Sequence, residues 1–328
     1  MPDPADIIEP GLEDNSSGTG EFEPLEYTAD EPSLHQCLGS AIYRHSFENG
    51  RRYHYFRNGK YPIPNDDIEQ TRDDMKHALL LELTGGQLIH APIGDNPQKI
   101  IDIGTGTVGD RYPRAEVVGV DLSPIQPVWL PPNVKFIIDD VEDEWLTVHR
   151  KYEYVHARNL ISFTGNPSKL LARCYENMKP GAWIEVSDFG ADVLCDDGTM
   201  PPDWPLKQMF GKLSVAMHNL GKDIQIAPQV GQLVEEAGFV NLTRKVYKVP
   251  VGIWPANRTL RLVGMYMRQV TEDFLDAVAA KPFRTLGMTE EEISAFMSSV
   301  LEALYDRSVH SYNCYYIWVA QKPVDAKD

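Results

Sequence analysis

Acidic residues and glycines that follow successive apolar runs are the part of this sequence best suited to bind a ligand. The run at residues 99–101 leads into Asp102, Gly104 and Gly106, and the next run ends at Asp121. Glycines after a strand let the backbone approach a ligand, and an acid ending the next strand can accept hydrogen bonds from both hydroxyls of a ribose. Asp121 follows Gly104 by 17 residues, close to the roughly 20 typical of ribose recognition. The spacing predicts a site for a ribose-bearing cofactor.

A third apolar run ends in the same way. Residues 134–138 lead into Asp139 and Asp140, either of which can accept a hydrogen bond from an adenine amino group. Three successive runs that end in glycines, an acid and paired acids are much more specific than a lone glycine motif. The alternative, three acidic turns that bind no ligand, is the weaker interpretation.

Apolar runs that alternate with helical spacing predict an α/β fold of the Rossmann-like type. Asn166 and Pro167 mark the start of a helix, and Pro180 marks its end. Further strands are expected at residues 152–157, 183–186, 239–249 and 312–320. Strands alternating with helices build a mostly parallel sheet, with ligands at the carboxyl ends of its strands.

Composition divides the chain into segments. Residues 1–35 hold ten acidic residues and no Lys or Arg, and so few large apolar groups predict a disordered leader. Asn65 or Asp66 is the expected cap of a helix in the segment that follows, and Thr289 with Glu292 forms a capping box near the other end. The predicted segments are the acidic leader 1–35, a helical cap 36–95, the Rossmann-like core 96–254, a helical insertion 255–310, and the last core strand with the tail 311–328.

Charge and cysteine usage exclude several classes. The net charge is −17, so direct nucleic-acid binding lacks the clustered cations it needs, although an acidic leader can contact a basic protein partner. No apolar run reaches the roughly 18 to 20 residues of a membrane span. The scattered cysteines have no C-x-x-C spacing, which argues against a zinc site or disulfide framework and fits a reducing compartment. We expect a cytoplasmic location, with the nucleus as the alternative, and no metal.

A second constellation competes with this interpretation. Ser162, Tyr175 and Lys179 mimic the Ser…Tyr-x-x-x-Lys pattern of short-chain dehydrogenases, and Gly109 completes a G-x-G-x-x-G spacing. In those enzymes the helix continues past the lysine, whereas Pro180 ends this one at once. An NAD(P)-dependent oxidoreductase is therefore the weaker alternative.

Several longer segments resemble the fungal LaeA-type class I methyltransferases. They are IDIGTGT at 101–107, VGVDLSPIQP at 118–127, PPNVKF at 131–136, NGRRYH at 49–54, YPIPND at 61–66, YENMKPG at 175–181 and GFV at 238–240. The resemblance covers nearly everything after residue 40. It implies a seven-stranded sheet with an antiparallel last strand, S-adenosylmethionine (SAM) as cofactor, and a small-molecule acceptor in secondary metabolism.

The resemblance also assigns positions to the cofactor. By position, the residues expected to contact SAM are Asp102, Gly104, Gly106, Asp121, Leu122, Asp140 and Val141. The first three would face the methionine portion, Asp121 would bind the ribose, and the last two would lie along the edge of the adenine. His156, at the end of the fourth strand, is the candidate base, although a structural histidine is the commoner case. Candidates for the lid and the acceptor pocket are Tyr53, His54, Arg57, Tyr61, Arg158, Trp204 and Trp254, with ordinary packing as the alternative for each.

One departure from the family affects the cofactor loop. Thr107 runs directly into Val108, whereas family members continue into a full helix, as if about six residues were absent here. The dozen or so residues from Gly104 to Ala115 are close to the lower limit of roughly 10 to 12 for a crossover. We expect a helix of at most two turns, with the third glycine displaced to Gly109. A non-catalytic, regulatory methyltransferase-like protein is the alternative that this departure favours.

Overall fold

The computed structural model describes residues 8–11, 45–57, 59–104, 108–125, 130–145 and 151–326. Its strands are β1 (His45–Glu48), β2 (Arg51–His54), β3 (Lys99–Ile103), β4 (Glu116–Asp121), β5 (Val134–Ile138), β6 (Tyr152–Arg158), β7 (Met178–Phe189), β8 (Val240–Pro250) and β9 (Tyr312–Gln321). Its helices are α1 (Asp67–Thr84), α2 (Val108–Arg111), α3 (Pro167–Asn177), α4 (Pro205–Asn219), α5 (Val230–Glu236), α6 (Arg258–Ala280) and α7 (Glu290–Tyr305).

Seven strands of the described chain form one sheet in the order β5-β4-β3-β6-β7-β9-β8. The first five strands in this order pair in parallel, and β9 pairs antiparallel with both β7 and β8. The chain order reverses between β3 and β6, so the carboxyl ends of these strands flank the crevice where ligands bind in open α/β sheets. The predicted seven-stranded fold with an antiparallel last strand is confirmed.

Side-chain alternation along the strands builds an apolar layer on each face of the sheet. Ile100 and Tyr154 pack against the layer that contains α1, α4, α6 and α7. Ile101 and Val155 point the other way, toward α3 and α5. Adjacent residues of one strand face opposite sides, so Asp102 shares the face of Ile100.

The described part of segment 36–95 corrects the prediction that it is helical throughout. Residues 45–54 form a β-hairpin in which His45 pairs with His54. Asn49 and Gly50 make its turn with φ values of 52° and 78°, the left-handed pair that a two-residue hairpin loop requires. Helix α1 follows, and Asp66 caps it by accepting from the backbone of Glu69, as one of the two predicted caps.

Two further segments differ from the sequence prediction. Helix α4 lies in a stretch to which we assigned no element, although its buried residues Leu206, Met209 and Leu213 follow helical spacing. Part of the predicted disordered leader is ordered, because Gly11 donates to the Trp254 carbonyl at 2.6 Å and Ala256 donates to that of Glu9 at 2.7 Å. The rest of the leader lies outside the described residues.

Gly264 lets α6 approach the backbone that follows β8. A Cβ at this position would lie 1.9 Å from the Gly252 carbonyl oxygen, and Gly252 donates to the Gly264 carbonyl at 3.0 Å. We expect Gly264→Ala to lower the free energy of unfolding by about 1–3 kcal/mol, the usual cost of overpacking. Denaturant unfolding measures it. Gly211→Ala is the control, because space is open around Gly211 inside α4 and alanine there should stabilise by about 0.5–1 kcal/mol. Equal destabilisation by both would contradict the close-approach argument.

Candidate active site

The turn after β3 brings the backbone close to the end of β6. Gly104 has φ +84°, and a Cβ there would lie 3.3 Å from the Arg158 carbonyl oxygen and 3.6 Å from Leu160 Cβ. Any other residue would be strained in this left-handed conformation. The close approach to the end of β6 therefore requires glycine at this position. Gly106 lies outside the described residues.

Helix α2 is a single turn of four residues, which confirms the prediction that the crossover helix is short. Gly109 within it packs on β5, since a Cβ there would lie 2.3 Å from Val134 Cγ2. This contact explains the displaced glycine by packing between the helix and the sheet, rather than by approach to a ligand.

Asp121 ends β4, next to the Gly104 turn. Its Oδ1 accepts from the Ser123 backbone at 2.8 Å, an arrangement that fixes the carboxylate at the strand end. Leu122 is half-buried beside it. Because β3 and β4 are adjacent and parallel, Asp121 and Gly104 lie at the same edge of the sheet, as the ribose prediction requires.

The acids after β5 are already engaged within the protein. Asp140 Oδ1 accepts from the Glu142 backbone at 2.9 Å, and its Oδ2 lies 3.1 Å from Lys60 Nζ. Asp139 Oδ1 accepts from the Asp140 backbone at 2.8 Å. Val141 is buried in the apolar layer on the α3 and α5 face. An adenine contact at this strand end would have to share these carboxylates with Lys60 and the backbone.

The segment between β2 and α1 lies across the loops that follow β4 and β5. Arg57 forms an ion pair with Asp143, and the Asn65 amide and Ser123 hydroxyl are 3.2 Å apart. Burial raises the pKa of the Tyr61 phenol well above its ordinary value, and Asp121 adds to the shift. These contacts support the prediction that Arg57 and Tyr61 belong to a lid over the cofactor.

Tyr53 and His54 lie within the fold of the cap. His54 is 1% exposed, with Nδ1 2.6 Å from the Phe56 carbonyl oxygen and Nε2 3.3 Å from that of Tyr61, so it shapes the lid loop from within. Tyr53 is also buried, with Lys281 Nζ 5.4 Å from its ring centroid. The packing interpretation fits both residues better than direct contact with a ligand.

The surroundings of His156 fit the structural alternative better than the role of a base. The side chain is 2% exposed, and its Nδ1 lies 2.8 Å from Asp102 Oδ1. Asp102 and His156 are register partners in β3 and β6, so their side chains share the buried face of the sheet. Asp102 is thereby a partner of His156. Neither residue is among the described residues that line a cavity over the ends of β6 and β7.

A cavity of about 780 Å³, part of it open to solvent, lies over the ends of β6 and β7. Helices α1, α4 and α6 form its walls. The main apolar lining residues are Phe163, Phe210, Leu213, Met217, Met267 and Phe274. Asn159, which also lines it, lies between the two residues that the Gly104 turn contacts. The cavity therefore adjoins the predicted cofactor site.

Three predicted pocket residues lie elsewhere. Trp204 and Trp254 are buried, and Trp254 Nε1 donates to the Ser311 carbonyl at 3.1 Å. Arg158 donates to His77 Nδ1, 3.2 Å away. Burial and the neighbouring guanidinium lower the pKa of His77, which favours the neutral imidazole as acceptor. None of the three is among the described residues that line the cavity.

The dehydrogenase-like constellation is not assembled. Lys179 pairs with Glu153, at 2.6 Å, and Tyr175 packs on Phe239 with ring centroids 5.1 Å apart. Ser162 lines the cavity instead. These separate surroundings remove the structural basis of the oxidoreductase alternative.

Asp188, which the sequence analysis missed, is the buried acid of the cavity wall. Its two oxygens accept from the backbones of Ser162 at 3.0 Å and Phe189 at 2.8 Å. Burial raises the pKa of Asp188, although these hydrogen bonds and Lys76 oppose the shift. The signal was an acid two residues after the fifth predicted strand, 183–186.

Comparison with known proteins decides the family. The profile of a methyltransferase domain matches residues 75–244. Methyltransferase pytC of Aspergillus terreus is 37% identical over 312 residues, which cover 91% of this chain and 96% of that protein. The chain belongs to the methyltransferase family.

The LaeA-type resemblance is also confirmed. The secondary metabolism regulator LAE1 of Cochliobolus heterostrophus is 32% identical over 289 residues, covering 84% of this chain and 94% of that protein. The protein-methionine methyltransferase laeA of Emericella nidulans is 29% identical over 311 residues, covering 89% and 81%. This methyltransferase is SAM-dependent, with the class I sheet described above.

The described residues fit SAM. The Asp121 carboxylate stands at the strand end beside the Gly104 turn, where it can accept hydrogen bonds from ribose hydroxyls. SAM supplies an electrophilic methyl group, whose transfer depends chiefly on alignment with the acceptor. In the described part of the chain, no three His, Cys, Asp or Glu side chains are grouped to hold a metal. Among the same residues, no helix is long and apolar enough to span a membrane.

Proposed function

We propose that this methyltransferase transfers the methyl group of SAM to a small hydrophobic molecule in secondary metabolism. The cavity over β6 and β7 carries the proposal, because it is enclosed by three helices, largely apolar, and adjacent to the Gly104 turn. Ligand sites of small molecules are concave and apolar with a few placed polar groups. The names of the relatives support the metabolic setting.

Different residues of the site would bind the cofactor and the methyl acceptor. We propose that Asp121 accepts hydrogen bonds from the ribose and that the Gly104 backbone faces the methionine portion. Tyr61 and Arg57 would close the lid and exclude water. The acceptor then occupies the cavity, next to Asn159 at the end of β6. A cytoplasmic location is part of this proposal, supported by the free thiols of Cys174, Cys195 and Cys314.

Filling the cavity should block acceptor methylation and spare cofactor binding. Leu213 lines the cavity from α4, so Leu213→Trp should reduce methyl transfer to a panel of small phenols and amines by at least about 100-fold. S-adenosylhomocysteine affinity, measured by calorimetry, should stay within about two-fold. Val215→Trp is the matched control, because Val215 is 56% exposed on the same helix. Unchanged methylation by Leu213→Trp would place the acceptor outside the cavity.

The one-turn α2 and the regulator names of the relatives favour one alternative: a regulatory protein that binds a protein partner and transfers no methyl group. Calorimetry with SAM separates the two candidates. We expect binding and measurable release of S-adenosylhomocysteine. Absence of binding in this chain, together with binding by a variant whose loop after Gly104 is lengthened to a full helix, would support the alternative.

A further inference from the structure

One wall of the cavity carries hydrogen-bond acceptors whose partners are missing. Asn313 is 1% exposed, and its Nδ2 donates to the Asp192 carbonyl at 2.9 Å, which fixes the orientation of the amide. Its Oδ1 and that of Asn159 are buried without a hydrogen-bond partner among the described residues. Asp188 completes the group, and all three residues line the cavity. We call these three residues the acceptor strip, because their oxygens accept hydrogen bonds.

The charged donors at the cavity are already paired. Lys76 Nζ lies 2.6 Å from Asp73 Oδ1, and Arg72 is bound to Glu69 within α1. Buried acceptors left without donors cost about as much as a lost hydrogen bond each. The acceptor strip is therefore satisfied when a ligand brings an O–H or N–H group.

Desolvation selects between these groups. Lys76 and Arg72 are already paired with Asp73 and Glu69, and moving a charged ammonium into a largely apolar cavity costs more free energy than moving a neutral hydroxyl. A neutral hydroxyl meets the needs of the strip without adding charge. The opposite wall, with Phe210 and Phe274 among its residues, suits the body of a flat ring.

Resting on the proposed function, we propose that the cavity selects a ring-bearing hydrophobic molecule by its hydroxyl group, and that Asp188 accepts the hydroxyl proton during transfer. The hydroxyl oxygen bonds to the methyl carbon while the carbon–sulfur bond breaks and its electron pair stays on sulfur. The proton moves to the Asp188 carboxylate, so charge and atoms balance. Each Asp188 oxygen accepts one backbone N–H, and the Ser162 hydroxyl also interacts with this carboxylate. A carboxylate has about four lone-pair sites, so one remains for this step. A buried carboxylate with a raised pKa is the stronger base.

Matched probes test the hydroxyl preference by binding alone. The probes are 1-naphthol, 1-methoxynaphthalene and 1-(aminomethyl)naphthalene, titrated by calorimetry into protein saturated with S-adenosylhomocysteine. We expect 1-naphthol to bind at least about ten-fold more tightly than the ether or the ammonium. Asp188→Asn should reduce this preference to within about three-fold. Phe210→Ala should weaken naphthol and ether equally, because Phe210 contributes only apolar wall.

The preference should also depend on pH through Asp188. Lys76 and Arg72 of α1 and Tyr315 of β9 face this carboxylate, and the described lining residues of α4 and α6 are not titratable. As pH falls from 7 to 4, the naphthol preference of the wild type should decline, because a protonated carboxyl is a weaker acceptor. The ether should bind equally at both pH values. In Asp188→Asn the preference for naphthol should not change with pH.

Each outcome decides between the proposals. Equal binding of naphthol and ether by the wild type overturns the hydroxyl selection and leaves the proposed function standing. Tighter binding of the ammonium also overturns it. Failure of all three probes contradicts both proposals, provided that S-adenosylhomocysteine still binds. If Asp188→Asn does not fold, Asn313→Leu serves instead and should reduce the preference by about three-fold; an undiminished preference there would overturn the acceptor strip.

Discussion

Replacing Asp121 by alanine should weaken SAM binding by roughly 10- to 100-fold, because hydrogen bonds to a charged group contribute about 1.5–3 kcal/mol. The carboxylate stands at the end of β4, beside the Gly104 turn and near the segment between β2 and α1 that contains Tyr61 and Asn65. Asp121 ends the strand that pairs with β3, whereas Asp140 follows β5, one strand farther from the Gly104 turn. Calorimetry with SAM and with S-adenosylhomocysteine measures the loss.

The control for this change is an acid outside the site. Asp203 is exposed just before α4, so Asp203→Ala removes the same charge without altering the cofactor cleft. Its affinity for SAM should match the wild type within about two-fold. Equal affinities for wild type and Asp121→Ala, with both proteins folded, would refute the ribose assignment.

Replacing Glu185 by alanine should lower the free energy of unfolding by about 3–5 kcal/mol, the cost of removing one partner from a buried charged network. Glu185 is 1% exposed in β7. Its Oε2 accepts from the backbones of His90 at 2.7 Å and Ala91 at 2.9 Å, and from the Tyr154 hydroxyl at 3.1 Å. The carboxylate therefore ties the segment between α1 and β3 to the centre of the sheet. Denaturant unfolding at pH 7 measures the effect.

The stabilisation by Glu185 should depend on pH in a defined direction. Burial alone would raise the pKa of Glu185, but hydrogen bonds from His90 and the nearby His156 lower it overall. A lowered folded-state pKa gives stability that is present above the unfolded value, about 4.3, and lost as pH falls through the folded value. The difference between wild type and Glu185→Ala should shrink as pH falls below about 4.3, the unfolded-state value. Glu235→Ala, exposed on α5, should show no such dependence; a constant difference for Glu185 would contradict this account.

The sequence identified the residues at the ends of β3 and β4 far better than it identified the cavity. Asp121 and Gly104 are found by local signals, an apolar strand and the residue at its end, and parallel pairing then brings them together. The cavity depends on contacts between α1, α4 and α6, which are distant in sequence. Asp188 is the next-to-last residue of β7, but only the packed helices show that it faces a cavity.

Two differences from the sequence prediction have physical causes that the sequence did carry. His156 was considered as a base because of its place near a strand end, whereas its register with Asp102 puts both side chains on one buried face. The hairpin at residues 45–54 carries an Asn49-Gly50 turn, a strong signal for two antiparallel strands, that the interleaved aromatic and arginine residues obscured. Alternation along a strand explains the first difference, and the turn residues explain the second.

The close approach of Gly264 to Gly252 sets how far α6 stands above the sheet, and so the depth available to an acceptor. The cavity residues Met267, Val270 and Phe274 follow Gly264 on the same helix by one to three turns. A relative with a larger side chain at this contact is expected to hold α6 higher and to admit a bulkier acceptor. Substrate range within this lineage can thus diverge through a backbone contact that no substrate touches, which a crystal structure of Gly264→Ala would show as a displaced α6.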